Sequence, residues 1–454
     1  MITSTAFWGK RYAVLGLARS GLASVEALLA SGARVTAWDN REEARLSVEA
    51  LKHPGVELVD PLSFELDGYD GVVVSPGVPL NRHPIADHAA RAGVPIIGDI
   101  ELFALARSHL PVHKIVAITG TNGKSTTTAL VHHICVSAGR NALMGGNIGL
   151  PIMGQDPLRP NAAGPGVYVL ELSSYQIDLT YSLAPDVSAL INLSPDHLDR
   201  YNGFEGYSAS KARLPAMQHA GQYAVFGAGD DDTLRIARET VARSDGPQVQ
   251  IVDPGALAGQ ADWPSLQGPH NLQNAAIAVA MVEHLGITEA HWRPALASFV
   301  GLPHRMERVA TQGGVLFVND SKATNPASTA PALAAYPRVH WIVGGLPKGD
   351  DLDACTPYLD HVVAAYTIGE AGPRFAELLE RSVPVTRSEM LCEAVRQAMD
   401  AAQPGEVVML SPACASFDQF RDFEARGDAF RDMVKALIAE RPENQTEHQG
   451  EAQR

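Results

Sequence analysis

The sequence has few cysteines and no long apolar run. Its four cysteines, Cys135, Cys355, Cys392 and Cys414, lie far apart, and no Cys-x-x-Cys pair occurs. A disulfide framework or a structural zinc site is therefore not expected. No stretch reaches the length of a membrane span, and the N-terminus lacks a basic head followed by an apolar run and a cleavage site. We therefore expect a cytoplasmic protein with no membrane partner.

Basic residues are also in deficit. The 454 residues include 36 Lys and Arg against 51 Asp and Glu, which gives a net charge of -15. Nucleic-acid binding draws its affinity from a basic face, so this balance argues against a nucleic-acid partner. It leaves room for small anionic ligands, which helix N-termini and a few local cations can hold. The tail at residues 442–454 is polar, and we expect it to be disordered.

Short apolar runs alternate with helical patterns along the rest of the chain. Examples are YAVLGL, GVVVSPG, KIVAITG, VYVLELS, VSALINLSP, HWIVGG and EVVMLSP. Continuous Val, Ile and Leu strands with helices between them are typical of parallel α/β sheets, in which ligands gather at the carboxyl ends of the strands. The pattern predicts three α/β domains in series, at residues 1–98, 99–301 and 302–441.

A first glycine loop, GLARSG at residues 16–21, follows a predicted strand and opens a helix, and Asp39 closes the next strand. This arrangement resembles the dinucleotide-binding fingerprint, in which backbone N–H groups at a helix start hold a diphosphate. Ala18 replaces the middle glycine, the residue that allows close backbone approach. The loop therefore favours another nucleotide diphosphate over NAD, and a plain tight turn is the remaining alternative. The segment SPGVPLNRHP, which begins at Ser75, is a candidate second wall of the same site.

A shortened phosphate-binding loop lies in KIVAITGTNGKSTTTALVHHI. The usual P-loop has four residues between its two glycines, whereas only two residues separate Gly120 from Gly123. The strand–loop–helix context supports the assignment, which predicts Lys124 at the β- and γ-phosphates and Ser125 or Thr126 on Mg²⁺. An exposed Gly/Thr turn is the alternative.

Possible metal ligands follow the next strands of the central block. Glu171 ends an apolar strand, where a charge is costly unless it meets a cation. Asp196 and His197 lie just past another strand, and a single His in such a place is more often structural than a ligand. Because Mg²⁺ needs oxygen ligands and the expected strand edge is shared, we expect Glu171 and His197 near a metal. Lys211 lies in a predicted helix, where a lysine is ordinarily a solvated surface charge.

Further polar residues are candidates for nucleotide and anion binding. Asn271 and Asn274 lie three residues apart near a helix start, where they could read a purine or a phosphate or simply cap the helix. In the third block, polar and cationic residues cluster after successive strands, which argues for an anionic ligand. These residues are His304, Arg305, Asp320, Lys322, Thr324, Lys348, Ser416 and Phe417.

Taken together, the motifs resemble those of the Mur ligases over essentially the whole chain apart from the tail. The resemblance is carried by GTNGKST, GGNIG, ELSSYQ, SPDHLDRY, HNLQN, GLPHR, NDSKATN and SPACASFDQF. It implies an α/β protein with a Rossmann-like N-terminal domain, a central P-loop ATPase domain with a parallel sheet, and a Rossmann-like C-terminal domain. It also implies a monomer that adds D-glutamate to UDP-N-acetylmuramoyl-L-alanine in cytoplasmic peptidoglycan precursor synthesis.

The resemblance also implies the reaction path and the catalytic residues. The substrate carboxylate attacks the γ-phosphate of ATP, and the amino group of D-glutamate then attacks the acyl phosphate through a tetrahedral intermediate. The implied catalytic residues are Lys124, Glu171, His197 and Lys211. Two Mg²⁺ ions are implied, with Lys211 carbamylated by CO₂ so that it becomes an anionic ligand. The implied metal ligands are Ser125, Thr126, Glu171, His197 and the modified Lys211.

Three sets of binding residues are implied by the same resemblance. The set for ATP is Gly120, Thr121, Asn122, Gly123, Lys124, Ser125, Thr126, Asn271, Asn274, His304, Arg305 and Asp320. The set for the UDP-substrate is Gly16, Leu17, Ala18, Arg19, Ser20, Asp39, Asn40, Arg41, Ser75, Gly77, Asn147 and Ser173. The set for D-glutamate is Lys322, Thr324, Lys348, Ser416, Phe417 and Phe423.

Four alternative functions compete with this one. A related Mur or folylpolyglutamate-type ligase would use a different acceptor, and the folate type would lack the complete first domain. An L-glutamate-adding variant differs only in stereochemistry, which the residues do not reveal by physical argument. A non-catalytic nucleotide-binding module would not need Lys124, Glu171, His197 and Lys211 together. A NAD-dependent oxidoreductase would leave the phosphate loop unexplained.

Overall fold

The computed structural model describes residues 1–196, 198 and 200–440. His197 and the predicted tail at residues 442–454 lie outside the described residues. The chain divides into two compact units, one formed by Met1–Ala258 and Gln273–Leu296, the other by Gly259–Leu272 and the described residues from Ala297 onward. The domain boundaries expected at residues 98, 301 and 441 stay predictions.

The first sheet is parallel and lies at the start of the chain. Its strands are β1 (Arg11–Leu15), β2 (Arg34–Trp38), β3 (Val56–Leu58), β4 (Gly71–Val74) and β5 (Ile96–Ile97). The helices of this part are α1 (Arg19–Ala30), α2 (Glu42–Glu49), α3 (Ile85–Ala92) and α4 (Asp99–Ala106). The strand order is β3-β2-β1-β4-β5, and every pairing is parallel. The order reverses between β1 and β4, which is where ligands bind in sheets of this kind.

The second sheet is also parallel, and it carries the shortened phosphate loop. Its strand order is β11-β10-β9-β6-β8-β7. The strands are β6 (His113–Thr119), β7 (Ala142–Gly146), β8 (Gly166–Glu171), β9 (Val187–Leu190), β10 (Tyr223–Gly227) and β11 (Gln248–Val252). The helices are α5 (Lys124–Ser137), α6 (Ser174–Asp178), α7 (Phe204–Ala216), α8 (Asp231–Val241), α9 (Pro269–Glu283) and α10 (Glu289–Ser298).

The third sheet is mixed. Its strands are β12 (Glu307–Gln312), β13 (Val315–Asn319), β14 (Val339–Gly344), β15 (Val362–Ile368), β16 (Val385–Glu389) and β17 (Val407–Leu410). Its helices are α11 (Pro326–Ala334), α12 (Gly372–Leu379), α13 (Leu391–Ala401) and α14 (Phe423–Glu440). The order is β12-β13-β17-β14-β15-β16, in which β12 is antiparallel to β13 and the other pairs are parallel.

The antiparallel edge differs from the expected all-parallel pattern. Only Gly313 and Gly314 connect β12 to β13, and both have positive φ, 56° and 78°. A two-residue turn of this conformation joins antiparallel strands, whereas a parallel crossover needs a dozen residues or more. The α/β fold class is confirmed, with this hairpin as the one departure from parallel pairing among the described strands.

The apolar runs explain why the sheets form. All seven runs quoted from the sequence become strands, namely β1, β4, β6, β8, β9, β14 and β17. Every residue of β4, β8, β9, β14 and β17 is buried, as expected for strands covered by helices on both faces. None of the described helices combines the length and the apolar character needed to cross a membrane.

Candidate active site

The phosphate loop connects β6 to α5 in the way the sequence predicted. Gly120 has φ 153° and Gly123 has φ 82°, and residues other than glycine rarely adopt such positive φ values. A Cβ atom at Gly123 would also collide with Oδ1 of Asn274, so the loop and helix α9 approach closely here. The contact places Asn274 at the phosphate loop. Asn271 instead lies in the second unit, and its Nδ2 donates to the Gln267 carbonyl at 3.1 Å.

Lys124 opens helix α5 and folds back over its own loop. Its Nζ donates to the carbonyl oxygens of Gly120 at 3.0 Å and of Thr121 at 2.7 Å. The first turn of a helix presents N–H groups that have no intrahelical partner, and these attract anions. The ammonium group and the helix start therefore lie at the same loop, which is the arrangement that phosphate binding needs.

Glu171 ends β8 beside the phosphate-loop strand, and it is 1% exposed. Its Oε1 accepts a hydrogen bond from Nδ2 of Asn147 at 2.8 Å, and its backbone carbonyl accepts the Asn147 N–H at 2.8 Å. Its Oε2 is buried and has no hydrogen-bond partner within the described part of the chain. An unpaired buried carboxylate oxygen is costly unless it meets a cation.

Lys211 is buried rather than solvated, which corrects the expectation for a helix lysine. It is 1% exposed, its Nζ lies 3.3 Å from Oγ1 of Thr119 at the end of β6, and it lies 4.8 Å from the Tyr207 ring centroid. Burial lowers the pKa of Lys211 well below its usual value, and the Lys124 charge lowers it further, against the opposing charges of Asp196, Glu171 and Asp178. Burial and the Lys124 charge thus favour the uncharged amine more than in an exposed lysine.

These residues fit a magnesium ion. The unpaired Oε2 of Glu171 supplies a hard oxygen ligand, and the buried hydroxyl of Ser125 lies on the first turn of α5. Mg²⁺ usually keeps several waters and binds through one or two carboxylates plus substrate phosphates. Among the described residues, no group of three His, Cys, Asp or Glu side chains is arranged to hold a metal ion.

The first glycine loop lies at the switch between β1 and β4. Gly16 has φ 90°, and a Cβ atom there would come within 2.8 Å of Ser75. The Ser75 hydroxyl donates to the Gly16 carbonyl at 2.8 Å, so the two predicted walls of the site are joined. Ala18 is the N-cap of α1, Arg19 is exposed, and Ser20 lies in the first turn of that helix. Gly77 lies two residues past Ser75, and a Cβ atom there would meet no other heavy atom within 4 Å.

Asp39 holds this loop from the end of β2. Its Oδ2 accepts the Leu17 N–H at 2.8 Å, and its Oδ1 accepts the Arg41 N–H at 2.9 Å. Burial alone raises the pKa of Asp39, but the N–H donors of Leu17 and Arg41 and the Arg41 charge outweigh it, so the net shift is downward. Asn40 lies between these residues and is exposed. The predicted residues 16–20 and 39–41 thus form one cluster around an ionised carboxylate.

Within the described part of the chain, the Ser173 hydroxyl bonds Gln176 and not that cluster. Ser173 is the N-cap of α6, where its Oγ accepts the Gln176 N–H at 3.2 Å and donates to Oε1 of Gln176 at 3.1 Å. Asn147 lies against Glu171, as described above. Both residues therefore belong to the strand ends of the second sheet.

In the second unit, Asp320 and His304 are both buried, and each has its own polar partners. Asp320 Oδ2 accepts the Ser411 hydroxyl at 2.8 Å, and its Oδ1 accepts the Met306 N–H at 3.1 Å. Burial raises the pKa of Asp320 to about 7, although Ser411, Met306 and the Arg305 charge act in the opposite direction. Burial lowers the pKa of His304, whose Nδ1 lies 3.1 Å from Nδ2 of Asn319.

The expected D-glutamate residues lie at neighbouring strand ends of the third sheet. Lys348 Nζ donates to Oγ1 of Thr324 at 3.2 Å, and Lys322 Nζ lies 3.9 Å from the Phe423 ring centroid. Leu346 and Ala415 exchange two backbone hydrogen bonds, of 2.9 and 3.0 Å, which hold the loop of Lys348 beside the loop of Ser416 and Phe417. Ser416 is 2% exposed and Phe417 is 69% exposed.

Sequence reasoning missed Arg426, which organises these loops. Its guanidinium donates to the carbonyl oxygens of Ser321 (2.9 Å), Cys414 (3.0 Å) and Ala415 (3.1 Å) and to the Ser321 hydroxyl (3.0 Å). The side chain is 1% exposed, and burial lowers the pKa of Arg426 to about 10. Its sequence context, FEARGDAF, offers no motif that would have singled it out.

Comparison with known proteins yields three matching family models that follow each other along the chain. They are described as "Mur ligase MurD-like, N-terminal domain" at residues 10–98, "Mur ligase middle domain" at residues 118–252, and "Mur ligase, glutamate ligase domain" at residues 304–414. The three matches correspond in turn to the first sheet, to the phosphate-loop sheet from the end of β6 onward, and to the mixed sheet.

Two relatives are similar over nearly their whole length. A protein of Novosphingobium aromaticivorans named UDP-N-acetylmuramoylalanine–D-glutamate ligase is 74% identical over 441 residues, which cover 97% of this chain and 98% of the relative. A protein of the same name from Sphingopyxis alaskensis is 60% identical over 444 residues, covering 97% and 100%. The solved structure of MurF ligase from Thermotoga maritima in complex with ADP has a similar fold, with a TM-score of 0.60, 14% identity and coverage of 96% and 97%.

Proposed function

This chain belongs to the Mur ligase family, and we propose that it joins D-glutamate to UDP-N-acetylmuramoyl-L-alanine at the expense of ATP. The observation that carries this proposal is the convergence of three groups at the shortened phosphate loop: the Lys124 ammonium, the unpaired Glu171 oxygen and the buried Lys211 amine. The substrate pair follows the name of the relative that is 74% identical.

The chemistry requires activation of a carboxylate. The acceptor carboxylate attacks the γ-phosphorus of ATP, ADP leaves, and an acyl phosphate forms. The amino group of D-glutamate then attacks the acyl carbon and loses a proton, and phosphate leaves from the tetrahedral intermediate. A free carboxylate is a poor electrophile, so the protein mainly has to align the reactants and offset crowded negative charge.

The first-unit residues are suited to those two tasks. Lys124 exchanges the carbonyl oxygens of its loop for phosphate oxygens when ATP binds. Glu171, His197 and a hydroxyl from Ser125 or Thr126 would hold Mg²⁺, which draws negative charge away from the transferring phosphoryl group. Asn274 borders the loop and is proposed to contact the nucleotide. For Asn271, His304, Arg305 and Asp320, which belong to the second unit, the assignment to ATP stays a prediction from the sequence.

The burial of Lys211 supports the proposal that this residue is carbamylated. Only an uncharged amine attacks CO₂, and burial together with the Lys124 charge favours that form. The nitrogen bonds to the carbon of CO₂ and releases one proton, which gives a carbamate whose single negative charge is shared by two oxygens. The product would add an oxygen ligand for a second Mg²⁺ and would offset the Lys124 charge instead of adding to it.

The other two substrates are assigned by charge and by loop geometry. We propose that the uridine diphosphate group binds the first glycine loop, residues 16–20, with Asp39–Arg41 and Ser75. The two carboxylates of D-glutamate are proposed to meet Lys348 and Lys322, with Thr324 and Ser416 as hydroxyl donors and with Phe417 and Phe423 beside them. The proposed enzyme works as a monomer in the cytoplasm, where ATP is available.

Phosphate release tests this function. The purified protein is incubated with ATP, Mg²⁺ and UDP-N-acetylmuramoyl-L-alanine, and D-glutamate is compared with L-glutamate at equal concentration. Release that requires both the UDP-substrate and D-glutamate is expected. Equal or faster release with L-glutamate would overturn the stereochemistry but keep the mechanism, and no release with either would overturn the choice of acceptor.

A further inference from the structure

The chain continues past the end of β9 as residues 191–194. This segment contacts the phosphate loop, Gln273 of helix α9 and Asp230 at the start of helix α8. Two of its backbone groups bond side chains of other elements. The Ile191 carbonyl accepts a hydrogen bond from Nε2 of Gln273 at 3.1 Å, and the Leu193 N–H donates to Oδ2 of Asp230 at 3.0 Å. The Ile191 N–H donates to the Thr119 carbonyl at 3.0 Å, and the Ile191 Cβ lies close to Gly120, so the segment runs alongside the start of the phosphate loop.

Asn192 and Ser194 hold the phosphate loop through their backbone groups. The Thr121 N–H donates to the Asn192 carbonyl at 2.9 Å. The Ser194 N–H donates to Oγ1 of Thr121 at 3.0 Å, and that hydroxyl also lies 3.1 Å from the Ser194 carbonyl and 3.1 Å from the Tyr207 hydroxyl. Thr121, which follows the first glycine of the loop, is thereby fixed on the segment after β9.

The side chain of Asn192 makes the most specific of these contacts. Its Oδ1 accepts the Asn122 N–H at 2.8 Å, and its Nδ2 donates to the Asn122 carbonyl at 3.2 Å. A carboxamide both donates and accepts, so it can pair with the N–H and the carbonyl of a single residue. Asp, Ser and the apolar residues cannot make this pair without adding charge or losing one of its bonds.

We propose that Asn192 is a positioning residue for ATP, because it holds the backbone of the loop at its midpoint. Only Thr121 and Asn122 separate the two loop glycines, and Asn192 engages both polar backbone groups of Asn122. The Asn122 N–H is therefore occupied, and the phosphates are received by the N–H groups that follow it at the start of α5. This inference rests on the proposed binding of ATP at this loop.

The neutrality of the side chain is part of the inference. Lys124 binds the carbonyl oxygens of Gly120 and Thr121, and Asn192 binds the polar groups of Asn122, so the loop is held from two sides. When phosphates replace the carbonyls as partners of Lys124, the Asn192 contact remains and keeps the loop in its receptive shape. An acidic residue at position 192 would place a negative charge beside a polyphosphate.

Two variants and one matched control test the inference. Asn192→Ala removes both side-chain bonds, and Asn192→Asp keeps the shape and one acceptor but adds a charge. Gln273→Ala removes a carboxamide bond from helix α9 to the Ile191 carbonyl of the same segment, and it serves as the control. Binding of ADP and of ATP is measured by calorimetry in the absence of the other substrates, and KM for each of the three substrates is measured with the full protein.

We expect Asn192→Ala to raise the dissociation constant for ADP and the KM for ATP about tenfold, which corresponds to the loss of two ordinary hydrogen bonds. Asn192→Asp should weaken both more than Asn192→Ala does, although it is nearly isosteric. The KM values for D-glutamate and the UDP-substrate should change by less than about twofold, and Gln273→Ala should leave ADP binding within about twofold of the parent.

Three results would overturn the inference. They are ADP binding within twofold of the parent in both Asn192 variants, an equal loss in Gln273→Ala, or a parallel rise of all three KM values together with a lower melting temperature. If Asn192→Ala does not fold, the near-isosteric Asn192→Asp variant decides alone. A parent protein that binds ADP but forms no amide would sink the proposed ligase function and leave this test intact.

Discussion

Each of the two glycine loops of the first unit lies between a strand and the following helix, but the groups that fix the two loops differ in charge. The loop at residues 16–20 is fixed by the Asp39 carboxylate, which accepts the Leu17 N–H, and by the Ser75 hydroxyl. The loop at residues 120–123 is fixed by the neutral Asn192 and by the Lys124 ammonium. One loop is thus tied by an anion and the other by a cation and an amide.

The difference matches what each loop is proposed to hold. The uridine diphosphate group is not broken in the proposed reaction, so its loop only has to bind it. The negative charge of Asp39 is offset by two N–H donors and by Arg41. A triphosphate that loses its terminal group develops negative charge during the reaction, and it needs a mobile cation nearby. The same strand–loop–helix geometry therefore serves binding in one case and chemistry in the other.

The largest expected effect comes from removing the cation of the second loop. Lys124→Met should lower the rate of phosphate release about 10³-fold, because a preorganised charge at the transferring phosphoryl group is lost. Arg19→Ala, which removes an exposed cation from the first loop, should lower the rate by less than about tenfold. Equal losses in the two variants, measured under saturating substrates, would remove the distinction between the loops.

Alanine at the left-handed glycines should separate the two ligands. Gly123→Ala meets an unfavourable φ and the Asn274 side chain, and Gly16→Ala meets an unfavourable φ and Ser75. Each strained backbone should cost about 1–3 kcal/mol, or roughly a 5- to 150-fold loss of affinity.

Calorimetry with ADP and with UDP would show which ligand each glycine variant loses. Gly123→Ala should weaken ADP alone, and Gly16→Ala should weaken UDP alone. A variant that weakens both nucleotides equally would mean that the two loops are not independent sites.

Asp39→Asn should have a smaller effect that is confined to the first loop. The amide cannot accept from both Leu17 and Arg41 as the carboxylate does, so about 1–2 kcal/mol of loop stabilisation is lost. The KM for the UDP-substrate should rise about tenfold while the KM for ATP stays unchanged. A rise in the KM for ATP of the same size would contradict the assignment of Asp39 to the UDP site.

The smallest effect concerns the pH dependence of the Asp39 contribution to stability. The pKa of Asp39 is lowered in the folded protein, so its contribution is fully present above the unfolded value of 3.8 and is lost as the pH falls through the folded value. The difference in melting temperature between the parent and Asp39→Asn should be constant from about pH 9 to pH 5 and shrink only below about pH 4. A difference that changes between pH 6 and pH 8 would rule this out.

Asp320 in the second unit provides a comparison of opposite sign. Burial raises the pKa of Asp320 to about 7 from an unfolded value of 3.8, so the folded protein binds its proton more tightly. Stability from this group is greatest below about pH 4 and falls as the pH rises to about 7. Asp320→Asn should remove that slope, which thermal unfolding at pH 5 and pH 7.5 would reveal.

The sequence predicts those features of the fold and the site whose residues are contiguous in the chain. The apolar runs give the strands, and Gly120, Gly123 and Lys124 are recognisable because the whole loop is contiguous. Gly313–Gly314 is also a local hairpin signal, and the antiparallel edge could have been read from it.

The contacts that hold the loops join distant parts of the chain. Asn192 meets Asn122 across 70 positions, and Arg426 meets Ser321 across 105. The burial of Lys211 likewise depends on which helix face covers the second sheet, and its sequence context does not reveal it. These residues become visible only when the strand ends are brought together.

The most direct test of the account is a pair of calorimetric titrations, one with UDP and one with ADP, each repeated with the other nucleotide already saturating. The account predicts one site for each nucleotide and an affinity for either that changes by less than about threefold when the other is bound. Displacement of UDP by ADP would mean that a single loop serves both nucleotides, and it would contradict the separation of a binding loop from a reacting loop.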